Sequence, residues 1–361
     1  MPAEHAPSQP AATPSQPAAP AQRAVYVGAY TDGDNAGQGI SFGTLETASG
    51  RVTLAGTVPV ANPSFLAIAP SGRVLYAVNE QEKGQVSALS LAGAEPKLIN
   101  SQSSRGAGPT HLCVHRSGRY VLSANYDSGS VVVHPVRADG GLEPASDLAV
   151  HTGSGPNSDR QSSPHAHQIL PDPAGSYLHS VDLGTDTVYA YQLDLATGKL
   201  SLRHQAKMRS GSGPRHLAFH PNGRFGYLAT ELGGTVITCG YADGVLTPLH
   251  EQPSVPGARG NQPAEVVVSP AARHLYVSNR GPDSVSVFSI GADGQLTAGG
   301  DVPCGGKTPR FIGLDPSGRY LFSASQDSNT ITTFTVAVAS GALTRLPGQL
   351  STPQPTCVLA R

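Results

Sequence analysis

Apolar residues recur along this chain as pairs of short runs separated by a tight turn. In NPSFLAIAPSGRVLYAVNE, from Asn62, the run FLAIA is followed by P-S-G-R and then by VLYAV. The arrangement returns as GPTHLCVHRSGRYVLSANY from Gly108, GPRHLAFHPNGRFGYLATE from Gly213, QPAEVVVSPAARHLYVSNR from Gln262 and TPRFIGLDPSGRYLFSASQ from Thr308. Short apolar runs of this kind, bounded by Pro and Gly, read as strands. The turn Gly supplies φ > 0. Two outer strands are expected in each unit, several joined at Asp139-Gly140, Thr197-Gly198, Asp243-Gly244 and Asp293-Gly294, where Asp-Gly is a strong hairpin signal.

A period of about 46 to 55 residues built from strands predicts an all-β protein, a β-propeller. About 338 residues follow Arg23, which suits seven blades of about 48. The third unit, HAHQILPDPAGSYLHSVDL, lacks the opening Pro but keeps Pro173 at its turn. The seventh is split. STPQPTCVLAR at the C-terminus carries its inner strand, and AVYVGAY with GISFGTLETASGRVTLAG at the N-terminus supplies the others. Strands from both ends then close the ring and remove its exposed edge. The domain is expected over residues 24–361. Residues 1–23 are Pro/Ala/Ser/Gln-rich, without the apolar side chains of a core, and are expected to be disordered.

Aligning the units on the turn Pro predicts what meets at the mouth of the central channel. Six residues before it stand Ser64, Thr110, His167, Arg215, Ala264 and Arg310, with Thr356 in the split unit. At the end of the returning strand stand Glu80, Tyr126, Leu183, Glu231, Arg280 and Gln326, each preceded by Asn79, Asn125, Asp182, Thr230, Asn279 or Ser325. The two strands are antiparallel, so the start of one and the end of the other share a rim. Flanking Pro, Gly and apolar positions repeat while the rim residues differ by blade, as an asymmetric ligand site requires. His111, His216 and Glu265 follow the first column and are expected to point away from it and to hydrogen-bond between blades. Arg73, Arg119, Arg224 and Arg319 follow the turn at the opposite rim and are expected in solvent.

Composition narrows the functions. Lys plus Arg number 24 and Asp plus Glu 25, so nothing argues for nucleic acid or an anionic membrane. Apolar runs are strand-sized, too short for a transmembrane helix. Cys113, Cys239, Cys304 and Cys357 show no C-x-x-C spacing. Buried thiols are expected for Cys113 and Cys357, and no disulfide framework. Residues 1–23 lack the apolar stretch of a signal peptide, so the expected location is cytoplasmic, or secreted or periplasmic if a signal was removed. His165 and His167 have a spacing that chelates metal, but no third ligand lies close by, and no metal or cofactor is expected. There is no G-x-S-x-G elbow and no Walker pattern. A monomer is expected, because a closed ring has no edge to pair.

At these residues the chain resembles the seven-bladed lactonase family, which includes bacterial propeller-type 6-phosphogluconolactonases and fungal carboxymuconate-lactonizing enzymes. YVGAYT, PSFLA, GPRHLAFHPNG, YVSNRG and PSGRYL carry the resemblance, over about residues 24–361. It implies a His, an Arg, a Glu and a second Arg on the rim. These are His167 in SSPHAHQ, Arg215 in GPRH, Glu231 in LATEL and Arg280 in SNRG. Blade six departs from the family pattern, with P-R-F-I where P-R-H or P-R-N is often seen. The implied activity is hydrolysis of a sugar lactone, 6-phosphogluconolactone first among them, a step of the pentose phosphate pathway.

In this reading His167 or Glu231 takes a proton from water and the other protonates the leaving alkoxide. Arg215 or Arg280 stabilises the oxyanion. Arg310 is expected to hold an anionic group, joined by Lys307, and Glu80, Asn125, Asp182, Asn279 and His165 to complete the substrate site. Two other readings remain open. One is lactone formation on a carboxylated muconate-type acid. The other is a non-catalytic scaffold, which the absence of Trp and of a G-H…W-D signature disfavours.

Overall fold

Strand–turn–strand units bury their apolar faces only against one another, and here the chain closes into a ring. A computed structural model describes residues 20–361. The described residues form 29 strands and no helix, in seven antiparallel sheets, six of four strands and one of five. The blades are numbered here by their inner strands. These are Leu66–Ile68, Pro109–Val114, Ala166–Pro171, Pro214–Phe219, Gln262–Val268, Pro309–Leu314 and Pro355–Ala360. Neighbouring inner strands touch around the axis. In blade 7 the C-terminal strand pairs antiparallel with Gln22–Ala29, Val25 opposite Ala360 and Val27 opposite Val358. The split blade and the seven-fold ring are therefore as the repeat predicts. The first strand starts two residues before the expected boundary. The disorder expected at the N-terminus falls, for residues 1–19, outside the described residues.

The core lies between blades rather than within them. Val181, Leu217 and Leu228 pack blades 3 and 4 together, and Tyr227, Val266 and Phe288 pack blades 4 and 5. Each fully buried side chain of this size is worth about 1.5–3 kcal/mol relative to exposure. A polar latch accompanies most of these contacts. Tyr76 of blade 1 donates its hydroxyl proton to the Gly140 carbonyl in the outer hairpin of blade 2. Tyr227 of blade 4 donates to Gly294 O of blade 5, and Tyr276 of blade 5 to Gly341 O of blade 6. Blades 2 and 6 use Tyr120 and Tyr320, bonded to Leu195 O and Ala48 O. In blade 3 His179 Nε2 takes this place against Gly244 O. Thus the hairpin carbonyls, exposed by their turns, are satisfied by the adjacent blade.

One irregularity repeats and positions the site. In blades 2, 3, 4, 6 and 7 the second residue of the inner-strand register is skipped, leaving Thr110, His167, Arg215, Arg310 and Thr356 without a cross-strand partner. Blade 5 skips both Ala264 and Glu265. These are β-bulges, which break side-chain alternation and re-aim the residue they carry. Glu265 apart, the bulged residues all belong to the column that the sequence alignment singled out.

Other expectations hold at the periphery. Arg73, Arg119, Arg224 and Arg319 are exposed. All four cysteines are free and buried. No helix among the described residues is long and apolar enough to cross a membrane.

Tyr227→Phe should remove one latch and leave the Gly294 carbonyl unpaired. The expected cost is about 1–3 kcal/mol, read as a lower urea midpoint at unchanged slope; an unchanged midpoint would show the latch to be passive.

Candidate active site at the channel mouth

The bulges turn one residue of most blades toward the axis. Ser64, Thr110, His167, Arg215, Arg310 and Thr356 line an axial void of about 10 Å³, about the room of one water. His216 and Glu265 line it too, which corrects the expectation that their position points away. The bulge is the cause: without alternation, Arg215 and His216 both reach the axis. The expected bonding between blades is present, since His216 Nδ1 lies 2.8 Å from Glu265 Oε1 across blades 4 and 5. His111 remains structural, packed on Phe65 with ring centres 4.0 Å apart.

Glu231 sits among three arginines. Arg160 Nη2 donates to Oε1 at 2.6 Å and Arg280 Nη2 to Oε2 at 2.7 Å. Arg215 Nε approaches Oε2 at 3.1 Å as an ion pair, outside hydrogen-bond alignment, while its Nη1 donates to Ala264 O at 2.8 Å. Burial resists the charge on Glu231, but Arg280, Arg215 and the bonds from Arg160 and Arg280 outweigh it and hold the carboxyl well below the usual carboxylate range. Glu231 is thus a fixed countercharge of low basicity. Burial, with Arg280 and Arg310 nearby, pushes Arg215 down, while Glu231 and Glu265 support its charge.

His167 has the opposite character. Burial, then the charges of Arg215, His216, Arg310 and Arg280, hold it well below the usual imidazole value, so the ring is neutral. Its Nδ1 lies 3.2 Å from His216 Nε2. Among the described residues its Nε2 has no hydrogen-bond partner, while Nδ1 is engaged. Tyr126 packs edge-on against His167, centres 5.5 Å apart, and stacks on His165 at 4.5 Å. His165 Nδ1 is bonded to Tyr126 O at 3.0 Å, which places its ring beside the site rather than on the axis. Opposite, Glu80 accepts from the Tyr30 hydroxyl at 3.0 Å and lies 3.8 Å from Arg310 Nη2, and Arg310 covers the Tyr30 ring.

Of the six residues assigned to the substrate site only Arg310 lines the void; Glu80 and His165 stand outside it, and three more are turned into the blades. Asn125 donates to Ser104 O and Ser130 Oγ. Asp182 accepts from His151 Nδ1 at 2.6 Å and from the Thr185 and His165 amides. Asn279 bonds Ser254 and Ser286. All three are fully buried. Their column lies one residue inside the strand end, so it faces the blade interior. The Lys307 side chain is exposed and does not line the void. Among the described residues no group of three or more His, Cys, Asp or Glu is placed to hold a metal.

Two contributors were not legible. Arg160 comes from the long connection between blades 2 and 3, which belongs to no repeat column. It is anchored by the buried neighbour Gln161, which donates to Leu183 O and Asp186 Oδ1. Tyr30 lies in YVGAYT, outside the strand columns; only its juxtaposition with Glu80 marks it.

A family model described as "Lactonase, 7-bladed beta-propeller" matches residues 24–360. The chain is 34% identical to a 6-phosphogluconolactonase of Formosa agariphila, over 90% of this chain and 96% of that protein. It is 33% identical to a 6-phosphogluconolactonase of Bacillus subtilis, covering 92% and 97%. Among solved structures, the periplasmic gluconolactonase of Pseudomonas aeruginosa superposes with a TM-score of 0.87 at 29% identity, covering 94% and 99%.

Glu231→Gln should leave three guanidiniums without their countercharge and cost about 3–5 kcal/mol at pH 7. Because the folded value is depressed, this stability is complete above the unfolded value of 4.5 and is lost as pH falls. The gap between wild type and variant in urea unfolding should therefore shrink between pH 5 and about pH 3; a gap independent of pH would refute the countercharge role.

Proposed function

The chain belongs to the seven-bladed β-propeller lactonase family, and from that premise we propose that it hydrolyses 6-phosphogluconolactone to 6-phosphogluconate at the axial mouth. The named relatives support the substrate. The observation that carries the mechanism is a neutral His167, its Nδ1 engaged and its Nε2 without a partner among the described residues, lining the same void as Arg215 and Arg310.

Of the two bases left open by sequence, geometry favours His167. A carboxylate held by three arginines binds a proton poorly, whereas a neutral imidazole accepts one. His167 Nε2 takes a proton from water as the water oxygen bonds the lactone carbonyl carbon. The carbonyl oxygen becomes an oxyanion beside Arg280 or Arg215, a stabilisation typically worth about 3–4 kcal/mol. The ring C–O bond then breaks, and the proton returns to the leaving alkoxide. Arg310 and the half-exposed Arg160 hold the phosphate through charge-assisted bonds. Glu231 orients Arg215, Arg280 and Arg160 and takes no proton.

The test is a coupled assay with freshly generated 6-phosphogluconolactone against the uncatalysed rate. Wild type should accelerate hydrolysis, His167→Asn should lose about 10²–10⁴-fold in kcat, and Arg310→Gln should mainly raise KM. A wild-type rate equal to the uncatalysed one would reject this substrate.

A further inference from the structure

We propose that Glu265 is the terminal proton acceptor of the site, receiving through His216 the proton that His167 removes from water. The proposal rests on the reading of His167 as the base.

Three groups from three blades stand in line. Glu265 Oε1 is 2.8 Å from His216 Nδ1, and His216 Nε2 is 3.2 Å from His167 Nδ1. The Val266 amide also donates to Glu265 Oε1. With Glu265 as a carboxylate, His216 must carry its proton on Nδ1 and accept at Nε2. His167 must then carry its proton on Nδ1, which leaves a lone pair on Nε2. The chain of bonds thus dictates the tautomer that a base at the void requires.

Charge decides where the proton ends. An imidazolium at His167 would stand among Arg215, Arg310 and Arg280, and at His216 among the same three with His111 5.3 Å away, eased there by Glu231. Protonating Glu265 instead removes a negative charge and creates no cation. The steps balance. Water's O–H bond breaks as its oxygen bonds the carbonyl carbon, and that proton joins His167 Nε2. The His167 Nδ1 proton passes to His216 Nε2, and the His216 Nδ1 proton to Glu265 Oε1. Both rings end neutral in the opposite tautomer, and the reverse shifts protonate the alkoxide. Burial supports the role, raising Glu265 to about 7 against the opposing influence of Arg215 and His111, within the imidazole range.

Glu265→Gln separates a proton acceptor from a structural bond, because the amide oxygen still accepts from His216 Nδ1–H but takes no proton. The folded variant should lose about 100-fold in kcat with KM nearly unchanged. Wild-type kcat/KM should fall as pH drops through about 7, where the acceptor becomes occupied, and the variant should lose that limb. In the free protein, infrared difference spectra should show a buried carboxyl titrating near neutral pH, absent in Glu265→Gln, with both histidine tautomers changing alongside it by nitrogen NMR. Full activity with an unchanged pH profile in the variant, or no such carboxyl signal, overturns the relay. If wild type accelerates no lactone, the functional reading fails by itself, and the spectroscopic titration alone decides the relay.

Discussion

The pairing of Pro355–Ala360 with Gln22–Ala29 is the contact on which the ring depends. Without it blades 6 and 1 would each present an open face, since the core lies between blades. Val25 and Val27 sit in one cluster with Phe322 of blade 6 and Leu75 of blade 1, so the N-terminal strand joins two neighbours to the C-terminal strand. Closure also sets the geometry of the axis. Seven inner strands converge there, and what they present at their starts becomes the wall of one narrow void.

A repeated fold tends to build a symmetric wall. Here the repeat supplies the bulge and the identity of the single residue it carries supplies the asymmetry: Thr110, His167, Arg215 and Arg310 occupy equivalent places. In blades 4 and 5 the bulge also brings a titratable neighbour, His216 or Glu265, to the void. The mouth therefore has two electrostatic halves. In one, Glu231 neutralises and orients arginines at the cost of its own basicity. In the other, burial keeps His167 and His216 neutral and Glu265 close to neutral pH. A protein of net charge −1 thus concentrates four guanidiniums beside a neutral imidazole.

Much of this was legible in the chain. The turn Pro and Gly set the register of every unit, so the column His167, Arg215, Arg310 followed from counting. Glu231 and Arg280 followed from the antiparallel return. Counting failed by one residue in two ways. Asn125, Asp182 and Asn279 belong to a rim column yet face the blade interior, where they hydrogen-bond Ser104, His151 and Ser254. Strict alternation points His216 and Glu265 away from the axis, and a bulge is invisible to a pattern of period two. Arg160 escaped because it belongs to no repeat.

The sequence by itself determined an all-β ring of seven blades, its closure by both termini, and the blades that supply His167, Glu231, Arg215, Arg280 and Arg310. Periodicity and turn chemistry are local and repeat, so they survive reading in one dimension. Only the tertiary structure decided which side chains share a void, that Glu231 is spent on three arginines, and that Glu265, His216 and His167 stand in one line. Those facts depend on distances between blades and on how deeply each charge is buried, and neither is written in the spacing of residues along a single strand.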